Sequence, residues 1–88
     1  MPSFMSYQQH ASVITTDLGS EVVLLHPDTQ QMFTLNEAGR AVWLALPATR
    51  EALLAHLVGT FDVTPDEAGE DLDGLLERLD RAGLVRTT

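Results

Sequence analysis

The chain has 88 residues, of which 44% are hydrophobic, and it contains thirteen acidic residues, five arginines and neither lysine nor cysteine. A chain of this length fits one domain, and the absence of cysteine excludes disulfides, cysteine-based zinc sites and a cysteine nucleophile. The net charge of −8 opposes binding to nucleic-acid phosphates and to anionic membranes; it either attracts a basic partner or only keeps a small protein soluble.

The sequence contains no membrane or export signal, and its N-terminal segment is polar. No apolar run approaches the roughly 20 residues that cross a bilayer, and residues 1–10 lack the basic and apolar stretches of a secretory signal. We therefore expect a cytoplasmic protein. Residues 1–9 have no regular pattern, so we expect residues 1–10 to form a flexible segment and residues 11–88 to form the folded domain.

The first half of the chain has the pattern of three short strands joined by tight turns. The β-branched run in residues 11–16, the apolar run in residues 21–26 and the alternating segment in residues 30–35 each have strand length. Residues 17–20 and 27–29 between them have the composition of turns. The pattern predicts an antiparallel three-stranded meander.

The hydrophobic period then changes to that of helices. Asn36 is a strong N-cap residue for a first helix that ends before Pro47, and Thr49 caps a second helix that ends before Gly59. Thr64, followed by proline, starts a third helix over residues 64–82. The predicted fold class is therefore α+β, with a three-stranded antiparallel sheet followed by three helices.

The third predicted strand contains none of the lysines, prolines or bulges that usually protect an exposed sheet edge. In an outer position its backbone groups could accept a further strand, as in peptide recognition by β-strand addition. The candidate peptide-binding residues on this strand are Gln30, Gln31, Met32, Phe33 and Thr34. A short solvated edge, or an edge covered by another part of the chain, is an equal alternative.

One flank of the third predicted helix could form the second wall of a binding groove. With the leucine stripe turned inward, this flank carries Glu67, Asp71, Gly74 and Arg78, with Leu75 at its margin. Gly74 inside a helix costs about 1 kcal/mol relative to alanine, which the close approach of another backbone would offset. An ordinary surface glycine explains it equally. The two acids would pair with a basic ligand residue, and Arg78 would pair with an acidic one.

The sequence lacks the motifs of an independent enzyme or of a metal site. His10, His26 and His56 are scattered and have neither an i, i+4 partner nor metal-binding spacing. The seven acids of the third predicted helix mostly face water, where no cleft would shift their pKa values for general acid–base work. Its serines lack a nucleophile-elbow context, and there is no glycine-rich phosphate loop. We therefore expect no catalytic residue, no metal and no cofactor.

Two segments of the sequence together resemble a known family. The first, EVVLLHPDTQQMFTLNEAGRAVW, has a strand, a turn containing proline, a second strand, "LN" and a helix start rich in small residues. The second, FDVTPDEAGEDLDGLLERLDRAGLV, is a closing helix that ends in "GLV". Residues 21–85 thereby resemble the PqqD family, whose members are also described as precursor peptide recognition elements of ribosomally synthesised and modified peptides (RiPPs).

The resemblance implies a winged-helix-like fold and a function in peptide recognition. Family members bind the leader segment of a precursor peptide as an extra strand beside the third strand, in a groove walled by the third helix. They present the precursor to a separate enzyme. In this sequence the strand corresponds to residues 30–35, and the helix wall corresponds to the side that carries Asp71, Leu75 and Arg78.

Stand-alone members of this family occur in pyrroloquinoline quinone, radical-SAM peptide and lasso-peptide pathways. Lasso systems often encode this module apart from a cysteine leader peptidase, and a short chain without cysteine is compatible with that division. The resemblance therefore favours a monomer that delivers a leader to a separate leader peptidase. The acidic, lysine-free composition departs from the family and suggests a leader rich in lysine or arginine.

Three alternatives remain open at this stage. A PqqD-like chaperone for a radical-SAM enzyme would share the same fold and leader-binding activity. A winged-helix DNA-binding domain is opposed by the net charge and by the seven acids that accompany Arg78 and Arg81 on the closing helix. A structural domain that dimerises through residues 30–35 would occupy the strand edge with a second copy.

Overall fold

The computed structural model describes residues 6–87, which form six strands and three helices. The strands are β1 (Ser6–Gln9), β2 (Ile14–Asp17), β3 (Val22–His26), β4 (Gln31–Leu35), β5 (Ala48–Thr49) and β6 (Val85–Thr87). The helices are α1 (Glu37–Ala45), α2 (Arg50–Thr60) and α3 (Pro65–Arg81). The predicted α+β class, with a three-stranded sheet ahead of three helices, is confirmed.

The strands β2, β3 and β4 form the predicted antiparallel meander, with β3 in the centre. Gly19 in the first turn has a φ of 90°, which favours glycine, and its N–H donates to the Asp17 carboxylate at 2.9 Å. Gln30 lies in the second turn, with a φ of 59°, because the chain reverses there before β4 begins. The prediction that Gln30 belongs to the strand was therefore wrong.

A second three-stranded sheet, in the order β5-β1-β6, was not predicted from the sequence. The irregular end expected for residues 1–9 is wrong for Ser6–Gln9, which pairs antiparallel with both β5 and β6. Pairing with distant segments stabilises this polar strand, and the Gln9 side-chain amide donates to the Trp43 carbonyl at 2.9 Å. Residues 1–5 of that predicted segment lie outside the described residues.

The helix starts follow the predicted capping residues. The side chains of Asn36, Thr49 and Thr64 each accept a backbone N–H from the first turn of the helix that follows. The third helix ends at Arg81 with Ala82 as its C-cap, and Gly83 follows with a φ of 72°, which suits glycine. No helix within residues 6–87 is long and apolar enough to cross a membrane.

The hydrophobic core lies between the β2-β3-β4 sheet and the helices. In β3 the residues alternate, so that Val22, Leu24 and His26 are buried towards the core. The fully buried core side chains are Trp43, Leu24, Leu53, Leu72, Leu79, Leu84, Val22 and Val42. The Trp43 indole N–H donates to the Thr15 hydroxyl at 3.0 Å, which ties α1 to β2.

Candidate functional site

The outer edge of β4 is free in the part of the chain that the structure describes. Within residues 6–87, β4 pairs with β3 alone. The Leu18 N–H donates to the Glu21 carbonyl at 2.9 Å, which places the backbone groups of Glu21 on the side of β2. Because backbone groups alternate along a strand, those of Val22, Leu24 and His26 point to β4.

The same alternation assigns the backbone groups of β4. The partners of those β3 residues are Leu35, Phe33 and Gln31, whose N–H and C=O groups therefore bond to β3. The backbone groups of Met32 and Thr34 consequently point to the free edge. The sequence alone left this parity open. Each of the two residues offers one donor and one acceptor to a further strand.

Two adjoining cavities lie between β4 and α3. The first, of about 500 Å³, lies where β4 ends and α1 begins, and the second, of about 450 Å³, lies beside the start of β4. Both are lined by Thr34, Leu35, Leu75 and Arg78, so they adjoin along the same two walls, and we call them together the β4–α3 groove. Volumes of this size are typical of ligand-binding sites.

The direction of α3 along the β4–α3 groove follows from its wall residues. Glu70 and Asp71, early in α3, line the first cavity, whereas Arg81 and Ala82, at its end, line the second. The helix therefore runs opposite to β4. A strand added to the edge of β4 would lie between β4 and α3, with one face towards the helix.

The groove brings together most of the residues predicted for peptide binding. Those that line it are Gln31, Phe33, Thr34, Asp71, Gly74, Leu75 and Arg78. They come from two segments that are about 35 residues apart in the sequence, which the fold places face to face. Their contact with a peptide stays a prediction, since the geometry establishes only the shared groove.

Three predicted residues do not line the groove. Gln30 lies in the turn before β4, and Met32, a residue that is 68% exposed, has its side chain on the sheet face away from the core. Met32 contributes to the edge only through its backbone. Glu67 lies one turn nearer the start of α3, where its N–H donates to the Thr64 hydroxyl at 3.2 Å, and Glu70 lines the groove in its place.

The sequence analysis missed the contribution of α1 to the groove. Ala38, Gly39 and Val42 line the first cavity. A Cβ on Gly39 would lie 2.9 Å from the Leu35 Cβ, so glycine is required for α1 to approach the end of β4 this closely. In the sequence, the small residues after Asn36 are the feature that indicates this close contact between α1 and β4.

Gly74 has a different environment from Gly39. A Cβ placed on Gly74 would meet no protein atom within 4 Å, although the residue lines the groove. No internal contact therefore requires glycine at this position. This open space leaves room for the backbone of another chain against the middle of α3.

The charges in the groove lie on α3 and differ in sign between its two ends. Glu70 and Asp71 are exposed in the first cavity, and Arg78 and Arg81 lie towards the second. Arg81 pairs with Glu77 at 2.6 Å. Within residues 6–87, the other three groove charges have no ion-pair partner within 4 Å.

Two bidentate ion pairs, Asp17–Arg40 and Asp73–Arg50, lie outside the groove. The hydrogen bond from Arg40 lowers the pKa of Asp17 to about 2, and that from Arg50 lowers the pKa of Asp73 below its usual value. In the described part of the chain, no group of three His, Asp or Glu side chains is arranged to hold a metal ion. His10 and His26 lie with their ring centres 5.4 Å apart, and His56 is exposed on α2.

Two solved structures are similar to this chain. A solved structure of TbiB1 in complex with the TbiA(beta) leader peptide is 25% identical, with a TM-score of 0.83 over 90% of this chain and 94% of that chain. A lasso peptide synthetase B1 complexed with the leader peptide is 16% identical and shares the fold, with a TM-score of 0.79 over 91% and 96% of the two chains. No curated protein sequence matches.

The family comparison identifies the chain itself. The family described as coenzyme PQQ synthesis protein D (PqqD) matches residues 21–85. This segment covers β3, β4, all three helices and the start of β6, and it includes both walls of the β4–α3 groove. The chain therefore belongs to the PqqD family, as the resemblance in its sequence predicted.

Proposed function

We propose that this protein binds the leader segment of a ribosomally synthesised precursor peptide as an additional strand beside β4. The free edge of β4, which opens into the β4–α3 groove, is the observation that carries this proposal. The leader-peptide complexes among the structurally similar proteins support it. The protein acts in the cytoplasm as a monomer, without catalytic residue, metal or cofactor.

Backbone hydrogen bonds and apolar contacts together supply the affinity that we expect for the leader. Met32 and Thr34 can form up to four backbone hydrogen bonds with a leader, each contributing about 0.5–1.5 kcal/mol. Phe33, Leu35 and Leu75 line the groove and would be covered by the leader side chains that face the core. The cost of ordering the leader opposes these contributions. We expect a dissociation constant in the micromolar range or below, which corresponds to a binding free energy of about −8 kcal/mol or more negative.

The proposal includes delivery of the leader to a separate leader peptidase of a lasso-peptide pathway. The outer face of the β2-β3-β4 sheet supports this step because it is apolar. Ile14, Leu25 and Met32 are cross-strand neighbours on that face, and Ile14 and Met32 are 53% and 68% exposed. A leader beside β4 would extend the same face, so one partner could contact the sheet and the leader together.

The direct test uses a precursor peptide identified by a search for short reading frames near this gene. A synthetic peptide of its leader segment is titrated into the ¹⁵N-labelled protein while amide shifts and hydrogen exchange are recorded. We expect the amides of Met32 and Thr34 to shift and to become protected from exchange, since they would gain acceptors. Saturable binding without protection of these two amides would place the leader elsewhere, and no binding would overturn the proposal.

A further inference from the structure

Three of the four charged side chains that α3 presents to the β4–α3 groove, those of Glu70, Asp71 and Arg78, have no partner on their own helix. The residues three and four positions from Arg78 are Gly74, Leu75, Arg81 and Ala82, none of which is acidic. In contrast, Arg81 has Glu77 four residues before it and pairs with it. Arg78 is thus left without an intrahelical partner in a chain with thirteen acidic residues.

The two acids at the other end of the groove, Glu70 and Asp71, also have no partner on α3. None of the residues three and four positions from Glu70 or Asp71 is basic. Both acids are exposed and form no ion pair among the described residues. β4 contributes no charge to the groove walls, so a bound strand would meet acids at one end and arginine at the other.

The distance between these charges selects a spacing along a bound strand. Seven to eight residues of α3 separate the acidic pair from Arg78, the groove arginine without a partner on its helix, which is about 11 Å at 1.5 Å per residue. Side chains on one face of a strand recur about every 7 Å, so four residues span about 14 Å. Two residues span only about 7 Å, so i and i+4 is the same-face spacing nearest to the separation between the acidic pair and Arg78. The reach of the long arginine side chain covers the remaining difference.

The order of the two charges follows from the strand direction. Antiparallel pairing is slightly more stable per residue than parallel pairing. A strand antiparallel to β4 passes the end at Leu35 first and the end at Gln31 last. It therefore meets Glu70 and Asp71 before it meets Arg78.

We propose that the groove selects leader segments in which a basic residue is followed four residues later by an acidic residue, both facing α3. This inference rests on the proposed function and specifies its substrate. It differs from a general attraction of basic peptides by the net charge of −8, because it requires charges of both signs in a fixed order.

The test begins with a displayed library of random 14-residue peptides, which is selected against the wild-type protein. We expect enrichment of a basic residue four positions before an acidic one. A selected peptide is then compared, by fluorescence polarisation, with an isomer in which these two residues are exchanged. The isomer has the same composition and net charge, so it isolates the order of the charges. We expect the isomer to bind about ten-fold more weakly than the selected peptide at low salt. The difference in affinity between the two peptides should become smaller at high salt, because salt screens the charges.

A charge-exchanged protein provides the reciprocal measurement. The variant D71K/R78E alters two exposed side chains, and circular dichroism checks that it retains the fold. We expect it to prefer the exchanged isomer. Equal binding of the two isomers to the wild-type protein, or an unchanged preference in the variant, would overturn the charge order while leaving leader binding intact. A library that yields no groove-binding peptide would overturn the proposed function as well.

Discussion

Asp17 and Arg40 connect the first hairpin to α1. The Arg40 guanidinium donates two hydrogen bonds to the Asp17 carboxylate, at 2.6 and 2.9 Å, and the Gly19 N–H donates a third at 2.9 Å. Both ends of this pair are partly exposed. The three donors stabilise the charged carboxylate in the folded state, which is why the pKa of Asp17 falls.

The lowered pKa of Asp17 predicts a pH-dependent stability. A carboxyl group whose pKa is lower in the folded state stabilises the fold above its unfolded value, and this contribution is lost as the pH falls through the folded value. The free energy of unfolding should therefore decrease from pH 3.8 towards about 2. This decrease should be smaller in Asp17→Asn, as measured by urea denaturation at each pH.

Arg40→Gln is the partner control for this prediction. It removes the main cause of the lowered pKa while leaving the carboxyl group, so its stability should depend on pH less steeply than that of the wild type. Asp73, whose pKa is also lowered, is retained in all three proteins and contributes to each curve. Parallel curves for the wild type and Asp17→Asn would show that folding does not lower the pKa of Asp17.

At the scale of the elements, the backbone parity of β4 determines what a proline does there. Met32→Pro removes an N–H that points to the free edge, so the β3–β4 pairing remains. We expect leader affinity to fall about ten-fold or more, since one hydrogen bond is lost and its acceptor is left unsatisfied. Fluorescence polarisation with the leader peptide measures this loss.

Two further variants separate the backbone effect from other causes. Met32→Ala shortens the same side chain but keeps the N–H, so leader affinity should change little. Phe33→Pro removes an N–H that bonds to β3, so it should destabilise the sheet itself. If Phe33→Pro folds normally and Met32→Pro does not, the assigned parity is wrong.

Gly74 and Gly39 allow a matched comparison of two helical glycines at the groove. Gly74→Ala should stabilise the fold by up to about 1 kcal/mol, because alanine favours a helix and no atom opposes its Cβ. The added methyl group should weaken leader binding. Gly39→Ala should instead destabilise the fold by about 1–3 kcal/mol, because its Cβ would collide with Leu35.

Urea denaturation followed by Trp43 fluorescence measures both stabilities, and the leader titration measures affinity. If Gly74→Ala leaves the affinity unchanged, the leader does not approach the middle of α3. A Gly39→Ala protein as stable as the wild type would show that α1 can move away from β4 at little cost.

The elements that the sequence predicted correctly are those with local signals. Asn36, Thr49 and Thr64 have capping side chains, and the two turns of the meander have turn composition. β1, β5 and β6 have no such signal, because they are short and pair with segments far away in the chain. Local patterns also could not predict which flank of α3 faces the groove. Tertiary packing sets the rotation of the helix about its own axis, and this rotation places Glu70 rather than Glu67 at the groove.

At the scale of the whole molecule, the surfaces of α3 and of the sheet differ in character. The seven acids of α3 are all exposed, which opposes the alternative of a DNA-reading helix. The outer sheet face instead carries Ile14, Thr16, Val23, Leu25, Met32 and Thr34, none of which is charged. The two surfaces therefore suit different partners: a peptide in the groove and a folded protein on the sheet.

Ile14→Lys tests the role of the sheet face in delivery. Ile14 lies on β2, separated from the β4 edge by β3, so leader affinity should stay unchanged. The rate at which the partner peptidase removes the leader should fall about ten-fold, because a charge would enter an apolar contact. Ala55→Lys, on the exposed side of α2, is the matched control. Equal rates for both variants would argue against docking on this face.

The pairing of β1 with β6 has a consequence for the order of folding during synthesis. The β3–β4 hairpin closes over a few residues, whereas β1 can pair with β5 earlier but with β6 only after Val85–Thr87 has left the ribosome. The edge that would receive a leader can therefore form early, and the sheet that joins the first and last strands completes the domain afterwards. A nascent chain halted before residue 85 would leave the β6 side of β1 unpaired, although all residues of its peptide-receiving hairpin would be available to pair.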